Sequence, residues 1–442
     1  MLASFLQTIV FLVIGIAVII VLTAKYRVHA FFALLIACFV VGQGIEMPVT
    51  EIVTVSKEGF GGIMKSLGLI IVLGTTLGVL LQHTGSTQTM ATFILKKTGE
   101  RRAALAMSLA GFIVGLPIFC DSGYIVLSGL NQSMAKRTGI SIVIMSVSLA
   151  TGLYAVHCLI PPHPGAAAAA SAIGVDYGKL IIVGIIAAIP AMLVGHWWAT
   201  FAGKKILLSV PPEEISVTAT TASPSVINAF LPVMVPILLI AMKSFFSIEK
   251  SSSAAATNIF SSLGDPVIAL SIGVLLAFNC GRSWTRFTIG KLLQESAEKA
   301  GGILVIIGAG GAFGAILAAA KMGQHFGEAV ALGSLGMLFP FLLAFILKTA
   351  QGSSTVAIIT AASIVQPLLP ALGLDNPNGK LLTVLAMGAG SMMISHANDA
   401  YFWVIAKFSG LDMRTMLKVY SVATALMGIV TLLMLYLVAL FL

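Results

Sequence analysis

Apolar runs at or near the roughly 20-residue length that crosses a bilayer as a helix recur along the whole chain. They fall at residues 4–23, 29–45, 63–82, 140–158, 180–201, 226–242, 266–280, 302–320, 328–347, 356–371, 381–395 and 419–442. Between them lie short basic stretches: Lys25 and Arg27, Lys96-Lys97-Thr98-Gly99-Glu100-Arg101-Arg102, Lys136-Arg137, Lys204-Lys205, and Arg282, Arg286 and Lys291. Basic residues in short loops mark the cytoplasmic side. The alternating ten-residue segments of a membrane barrel are absent. The pattern predicts an all-α polytopic membrane protein.

Polar interruptions of the apolar pattern are more informative than the runs. A backbone unwound at membrane depth must be buried in protein or line a watery cavity, and polar residues placed there are costly and usually functional. The main interruption is Leu347-Lys348-Thr349-Ala350-Gln351-Gly352-Ser353-Ser354-Thr355-Val356-Ala357, which carries a cation, an amide, hydroxyls and a glycine. A second, Cys120-Asp121-Ser122-Gly123, divides residues 103–135. That segment is flanked by basic residues at both ends, so it either spans twice or forms a re-entrant hairpin. Pro117, Asp121 and Gly123 favour a break at depth. Two further breaks are expected at His157-Cys158-Leu159-Ile160-Pro161-Pro162-His163-Pro164-Gly165, where prolines cannot continue a helix, and at Ser395-His396-Ala397-Asn398-Asp399.

These features recur in order. Gly74 and Gly78 match Gly310 and Gly314, and Gly174-Val175-Asp176 matches Gly410-Leu411-Asp412, both at an offset of 236. Between them the Asp121 and Ser353 breaks and the pair His157 and His396 match at offsets of 232 and 239. The span at 63–82 ends at a basic cluster and its counterpart at 302–320 follows one, so the copies are expected to lie antiparallel. The reading is two inverted-topology repeats, a common plan for secondary transporters, although channels share it. The Ser-, Thr- and Pro-rich stretch 203–225 reads as a cytoplasmic linker between a first half, 1–202, and a second half, 226–442.

Composition agrees with this class. The chain is 58% hydrophobic and 9% charged, against roughly a quarter charged in soluble domains. Its net charge of +9 is loop charge, so nucleic acid is not an expected partner; the lipid bilayer is. Four scattered cysteines imply neither a disulfide framework nor a metal site. Residues 1–4 lack the basic n-region of a signal peptide, which favours an uncleaved first helix. HExxH, GxSxG and Walker sequences are absent, so no enzyme and no cofactor is expected.

Candidate chemistry sits at the breaks. Asp121 and Asp399 are the carboxylates embedded in apolar sequence, and a buried carboxylate can carry a coupling proton. His157 and His396 can relay protons or bond a substrate hydroxyl. Lys348 could pair with a substrate carboxylate or snorkel to an interface. Ser122, Gln351, Gly352, Ser353, Ser354, Thr355 and Asn398 offer neutral donors and acceptors, and a helix beginning among them would turn its N-terminus toward an anion. The expected ligand is a small anionic hydroxy acid. A proton is favoured as the coupling ion over sodium, which unwound carbonyls could also hold.

At these motifs the sequence resembles the gluconate permease family, which includes D-serine permeases. The resemblance rests on His157 to Gly165, Gln351 to Ala357, and Ser395 to Asp399 with Phe402-Trp403. It covers almost the whole chain. It implies a bacterial inner-membrane symporter for small hydroxylated carboxylates, with protons, built of two inverted repeats. Each repeat would have a re-entrant hairpin and a broken transmembrane helix. The implied hairpin tips are Asp121 to Gly123 and Gln351 to Thr355, and related folds suggest a homodimer. A D-serine or other small amino-acid symporter is the alternative on the same scaffold. Ala166 and Ser354 depart from the residues common in relatives.

Overall fold

The computed structural model describes residues 5–204, 206, 224–248, 262–280, 284–320, 335–396 and 399–441. Most of the expected linker and Asn398 lie outside these, as does part of the run at 328–347. Among the described residues the regular structure is all helical. Six segments are long and apolar enough to cross a membrane: Val49–His83, Ile142–Ile173, Tyr177–Gly203, Val226–Lys243, Arg286–Ala319 and Met413–Val438.

Helices α1 (Phe5–Ile20) and α2 (Ala30–Gly44) pack together. They are followed by α3 (Val49–His83), α4 (Ser86–Thr98), α5 (Ala103–Gly115), α6 (Cys120–Thr138), α7 (Ile142–Leu159), α8 (Pro164–Ile173) and α9 (Tyr177–Gly203). The second half holds α10 (Val226–Ile248), α11 (Pro266–Phe278), α12 (Arg286–Ala319), α13 (Leu338–Gln351), α14 (Ser354–Val365), α15 (Pro377–Met392), α16 (Ala400–Ser409), α17 (Met413–Met416) and α18 (Val422–Val438).

Three expectations change. The spans at 63–82 and 302–320 are parts of helices of 35 and 34 residues. The basic stretch beginning at Arg286 runs unbroken into the apolar one, with no proline between them. The break in 103–135 lies at Leu116–Phe119, not at Cys120–Gly123. Pro117 cannot continue the donor ladder, and the Gly123 amide already bonds the Phe119 carbonyl at 2.8 Å, so Cys120 to Gly123 form the first turn of α6. Helices α4 and α16 were not anticipated, both being shorter than a full span.

The long helices α3 and α12 pack against each other, α5 packs on α7 and α13 on α15. Between these layers the short helices α8 and α14 meet. Ala166 to Ala170 of α8 are all buried. A Cβ on Gly165 would stand 3.0 Å from Ile358 and 3.3 Å from the Thr355 backbone, so small residues are what bring the two short helices together. Helix α7 is buried along its whole length. By contrast Ile182, Ile186, Ile189, Leu193, Trp197 and Phe201 of α9 are exposed at three- and four-residue spacing, the face a helix turns to lipid.

Candidate functional site

Three of the four expected interruptions break a helix, the fourth begins just after the break at Leu116–Phe119, and a helix restarts at each. Helix α6 begins at Cys120, α8 at Pro164, α14 at Ser354 and α16 at Ala400. Residues from the first turn of all four line one cavity of about 460 Å³: Cys120, Asp121 and Ser122; Pro164; Ser354, Thr355 and Val356; Ala400 and Tyr401. At a helix N-terminus the first amides lack intrahelical acceptors and stand at the positive end of the dipole. Convergence of several on one cavity makes a site for negative charge.

One N-terminus already holds an anion. Asp399 caps α16, its Oδ1 accepting from the Tyr401 amide at 2.9 Å. Its Oδ2 accepts from Lys348 Nζ at 2.6 Å and from the Ser395 hydroxyl at 2.5 Å. Lys348 Nζ also donates to the Gly352 carbonyl at 2.6 Å, and lies 6.0 Å from the centre of the Tyr154 ring. Lys348 is 1% exposed and Asp399 6%. Removing two charges from water is costly, and only this kind of geometry compensates. Gly352 makes the bond to Lys348 feasible. It sits at φ 82, a left-handed conformation costly for any residue with a Cβ, and it aims its carbonyl back along α13.

A neutral cluster occupies the corresponding place in the first half. His163 caps α8, and its Nε2 donates to the Gly115 carbonyl at 2.7 Å. Its Nδ1 lies 3.3 Å from Nδ1 of His157. A carbonyl only accepts, so the proton of neutral His163 is on Nε2. Its Nδ1 must then accept, and His157 donates from Nδ1. The His157 ring stacks on Tyr154 at 6.4 Å and lines the cavity, with Nε2 left as an acceptor.

The predicted site residues divide accordingly. Asp121, Ser122, His157, Gly352, Ser353, Ser354, Thr355 and Asp399 line the cavity. The Asp121 carboxylate accepts from the Ser122 amide at 2.8 Å, and the Ser353 hydroxyl accepts from the Val356 amide at 3.3 Å. Lys348 lies behind the lining, against Asp399. His396 is also behind it, donating from Nε2 to the Thr349 carbonyl at 3.1 Å. Gln351 ends α13, with its side chain outside what is described. Ser395 is anchored from α18 and from Ser421 just before it. The Ser395 amide donates to the Thr424 hydroxyl at 3.0 Å, and the Ser421 hydroxyl donates to the Ser395 carbonyl.

Sequence reasoning missed Tyr154, Tyr401 and Lys299, which also line the cavity. Lys299 pairs with Glu295 at 2.7 Å and is partly exposed. It reads as one member of an ordinary surface pair until α12 is seen to run past the cavity. The tyrosines read as core; their hydroxyls bond the Ser391 and Ala150 carbonyls at 3.2 Å each.

Comparison with known proteins gives a consistent answer. A family model described as GntP family permease matches residues 7–441. A gluconate permease of Pseudomonas aeruginosa is 34% identical over 430 residues, covering 95% of each chain. The inner membrane permease YgbN of Escherichia coli K12 is 30% identical, covering 94% of each. The D-serine transporter DsdX of Escherichia coli O6:H1 is 31% identical, covering 95% of this chain and 96% of its own. In fold the chain is similar to Neisseria gonorrhoeae MtrF, with a TM-score of 0.65 at 16% identity over 88% of this chain and 83% of that one.

Proposed function

Since the chain belongs to the GntP family of permeases, and is a multi-pass inner-membrane permease rather than an enzyme, we propose that it is a proton-coupled symporter. Its substrate is a small hydroxylated carboxylate, a gluconate-like sugar acid. The observation that carries this is the convergence of four helix N-termini on a cavity beside a buried Lys348–Asp399 pair.

In this reading the ion pair performs the coupling. With Asp399 charged, Lys348 is neutralised. A proton arriving at Asp399 Oδ2 removes the charge that holds Lys348, and the ammonium, still bonded to the Gly352 carbonyl, turns to the substrate carboxylate. Proton and anion then bind as a neutral set. Either one alone leaves an unbalanced charge in a low-dielectric site, which is costly. Asp121, on the other side of the cavity, handles a proton at the first tip. Ser122, Ser354, Thr355 and His157 Nε2 take the substrate hydroxyls, and Lys299 attracts the anion toward the cavity.

Two inverted repeats, with α5–α6 and α13–α14 as re-entrant hairpins and α7–α8 and α15–α16 as broken spans, fit this role. The parallel order of elements supports that plan, as do Asp176 and Asp412 capping the next helix in each half. So do His163 and Asp399, N-caps at the same 236-residue offset.

The test is uptake by proteoliposomes under separate inward proton and sodium gradients. Labelled gluconate should accumulate with the proton gradient. Failure to take up any four- to six-carbon sugar acid would reject the substrate class, and accumulation driven by sodium alone would reject the coupling ion. D-serine names a relative's substrate, and unlabelled D-serine is the competitor that separates the two readings. Stronger inhibition by D-serine than by gluconate would favour an amino-acid carrier.

A further inference from the structure

A second cavity, of about 570 Å³, lies on the basic side of the protein, away from the transport site. Arg101, Arg102 and Lys204 line it together with His196 of α9, and its lining holds no carboxylate. Glu100, the acidic residue beside the two arginines, is paired with Arg137. No ion pair engages Arg101, Arg102 or Lys204 among the described residues. Their charge is therefore available to a ligand.

Two helices also start here. Ala104 and Leu105 belong to the first turn of α5, and Ser141 caps α7, whose Ile144 lines the cavity as well. Both N-termini add positive potential where the cations already supply it. On α9 the lining residues His196 and Thr200 are followed at the same four-residue spacing by Lys204, the helix's C-cap in helical conformation, so the three form a single row. Immediately beside that row run Trp197 and Phe201, 55% and 50% exposed, which end the apolar face of the helix. His196 Nδ1 lies 2.9 Å from the Ser148 hydroxyl. When that hydroxyl donates, the second ring nitrogen carries the proton and can donate to an anion.

From this arrangement we infer that the cavity is a binding site for an anionic phospholipid. The phosphate sits among Arg101, Arg102 and Lys204, and the acyl chains lie along Trp197 and Phe201. A soluble phosphate would satisfy the cations but would leave the adjoining aromatic face unused. A zwitterionic lipid would cover the aromatic face but bring its own cation to the phosphate. An anionic lipid matches both features, as expected for basic pockets between helices on the cytoplasmic side. The site is independent of substrate and of coupling ion.

The test is lipid retention by the full chain, measured by native mass spectrometry after exchange into detergent with phosphatidylglycerol or phosphatidylcholine. Phosphatidylglycerol should be retained and phosphatidylcholine lost. At about fivefold per cation near a membrane surface, Lys204→Gln should weaken retention about fivefold, and the triple variant R101Q/R102Q/K204Q on the order of a hundredfold. Lys136→Gln, a cation outside the cavity, should leave retention unchanged. An unaltered melting temperature shows that the triple variant is folded; if it is not, the single Lys204→Gln variant carries the comparison. Equal retention of the two lipids, retention unaffected by Lys204→Gln, or displacement of the lipid by inorganic phosphate at equal concentration would each overturn the proposal.

Discussion

The two halves of the molecule make the same tie with different chemistry. In the first, the N-cap of the short helix α8 is His163, bonded back to Gly115 at the end of α5. In the second, the N-cap of α16 is Asp399, bonded back to Lys348 near the end of α13. Each tie joins the restart of a broken helix to the helix that precedes the facing break. The first joins an imidazole to a backbone carbonyl and holds no ion pair. The second is ionic, and one proton removes its attraction. The lesson is that equivalent positions can carry an imidazole–carbonyl bond in one half and an ion pair in the other, and the side chain at the cap decides which it is.

Breaking the ionic tie on one side should have the largest effect. Lys348→Met leaves a buried carboxylate unpaired, which costs about 3–5 kcal/mol. The expected results are a strongly lowered melting temperature and uptake at background. The double variant Lys348→Met/Asp399→Leu should recover stability without recovering uptake, because well-packed apolar pairs replace buried ion pairs at little cost. If Lys348→Met melts with the wild type, the two charges are not paired away from water.

Breaking the neutral tie should cost less. His163→Ala strands the Gly115 carbonyl and the His157 donor, at about 1–3 kcal/mol for an unsatisfied buried group. Uptake should fall but stay proton-driven. A His163→Ala protein that exchanges substrate normally yet no longer responds to a proton gradient would reverse the assignment of the two ties. Gly352→Ala tests the backbone turn that aims a carbonyl at Lys348. A left-handed conformation costs a residue with a Cβ about 1–2 kcal/mol, read as a lower melting temperature. The smallest effect belongs to single hydroxyls. Thr355→Val should raise the KM for uptake about fivefold, the equivalent of one hydrogen bond of about 1 kcal/mol, with little change in stability.

Much of this architecture is legible in the sequence, for identifiable reasons. Bilayer thickness sets the length of the apolar runs, and proline or glycine set in polar residues marks each break. The positions of the breaks near Ser353 and Pro162 follow from local chain chemistry alone. The break near Asp121 was misplaced because its polar residues draw the eye, whereas Pro117, four positions earlier, is what stops the helix. Contacts across the fold were not legible. Lys348 and Asp399 are 51 residues apart and His163 and Gly115 are 48 apart, and no local pattern pairs them. His163 and Asp399 were therefore not matched, while His157 and His396 were. Those two differ in the structure, one lining the cavity and the other bonded behind it. Lys299 was hidden for a simpler reason: an Glu295–Lys299 pair looks the same on a solvated helix and beside a cavity.

The most direct test of the account is the response of Asp399→Asn to a proton gradient. Asparagine keeps the size of the side chain and an acceptor for Lys348 but cannot take up the coupling proton. In proteoliposomes the wild type should accumulate labelled gluconate when the outside is acidified, and its apparent affinity should rise as pH falls, since bound proton and bound anion favour each other reciprocally. Asp399→Asn should still exchange internal for external gluconate, with an affinity that no longer follows pH, and should not accumulate it. Accumulation by Asp399→Asn to the wild-type level under the same gradient would contradict the account.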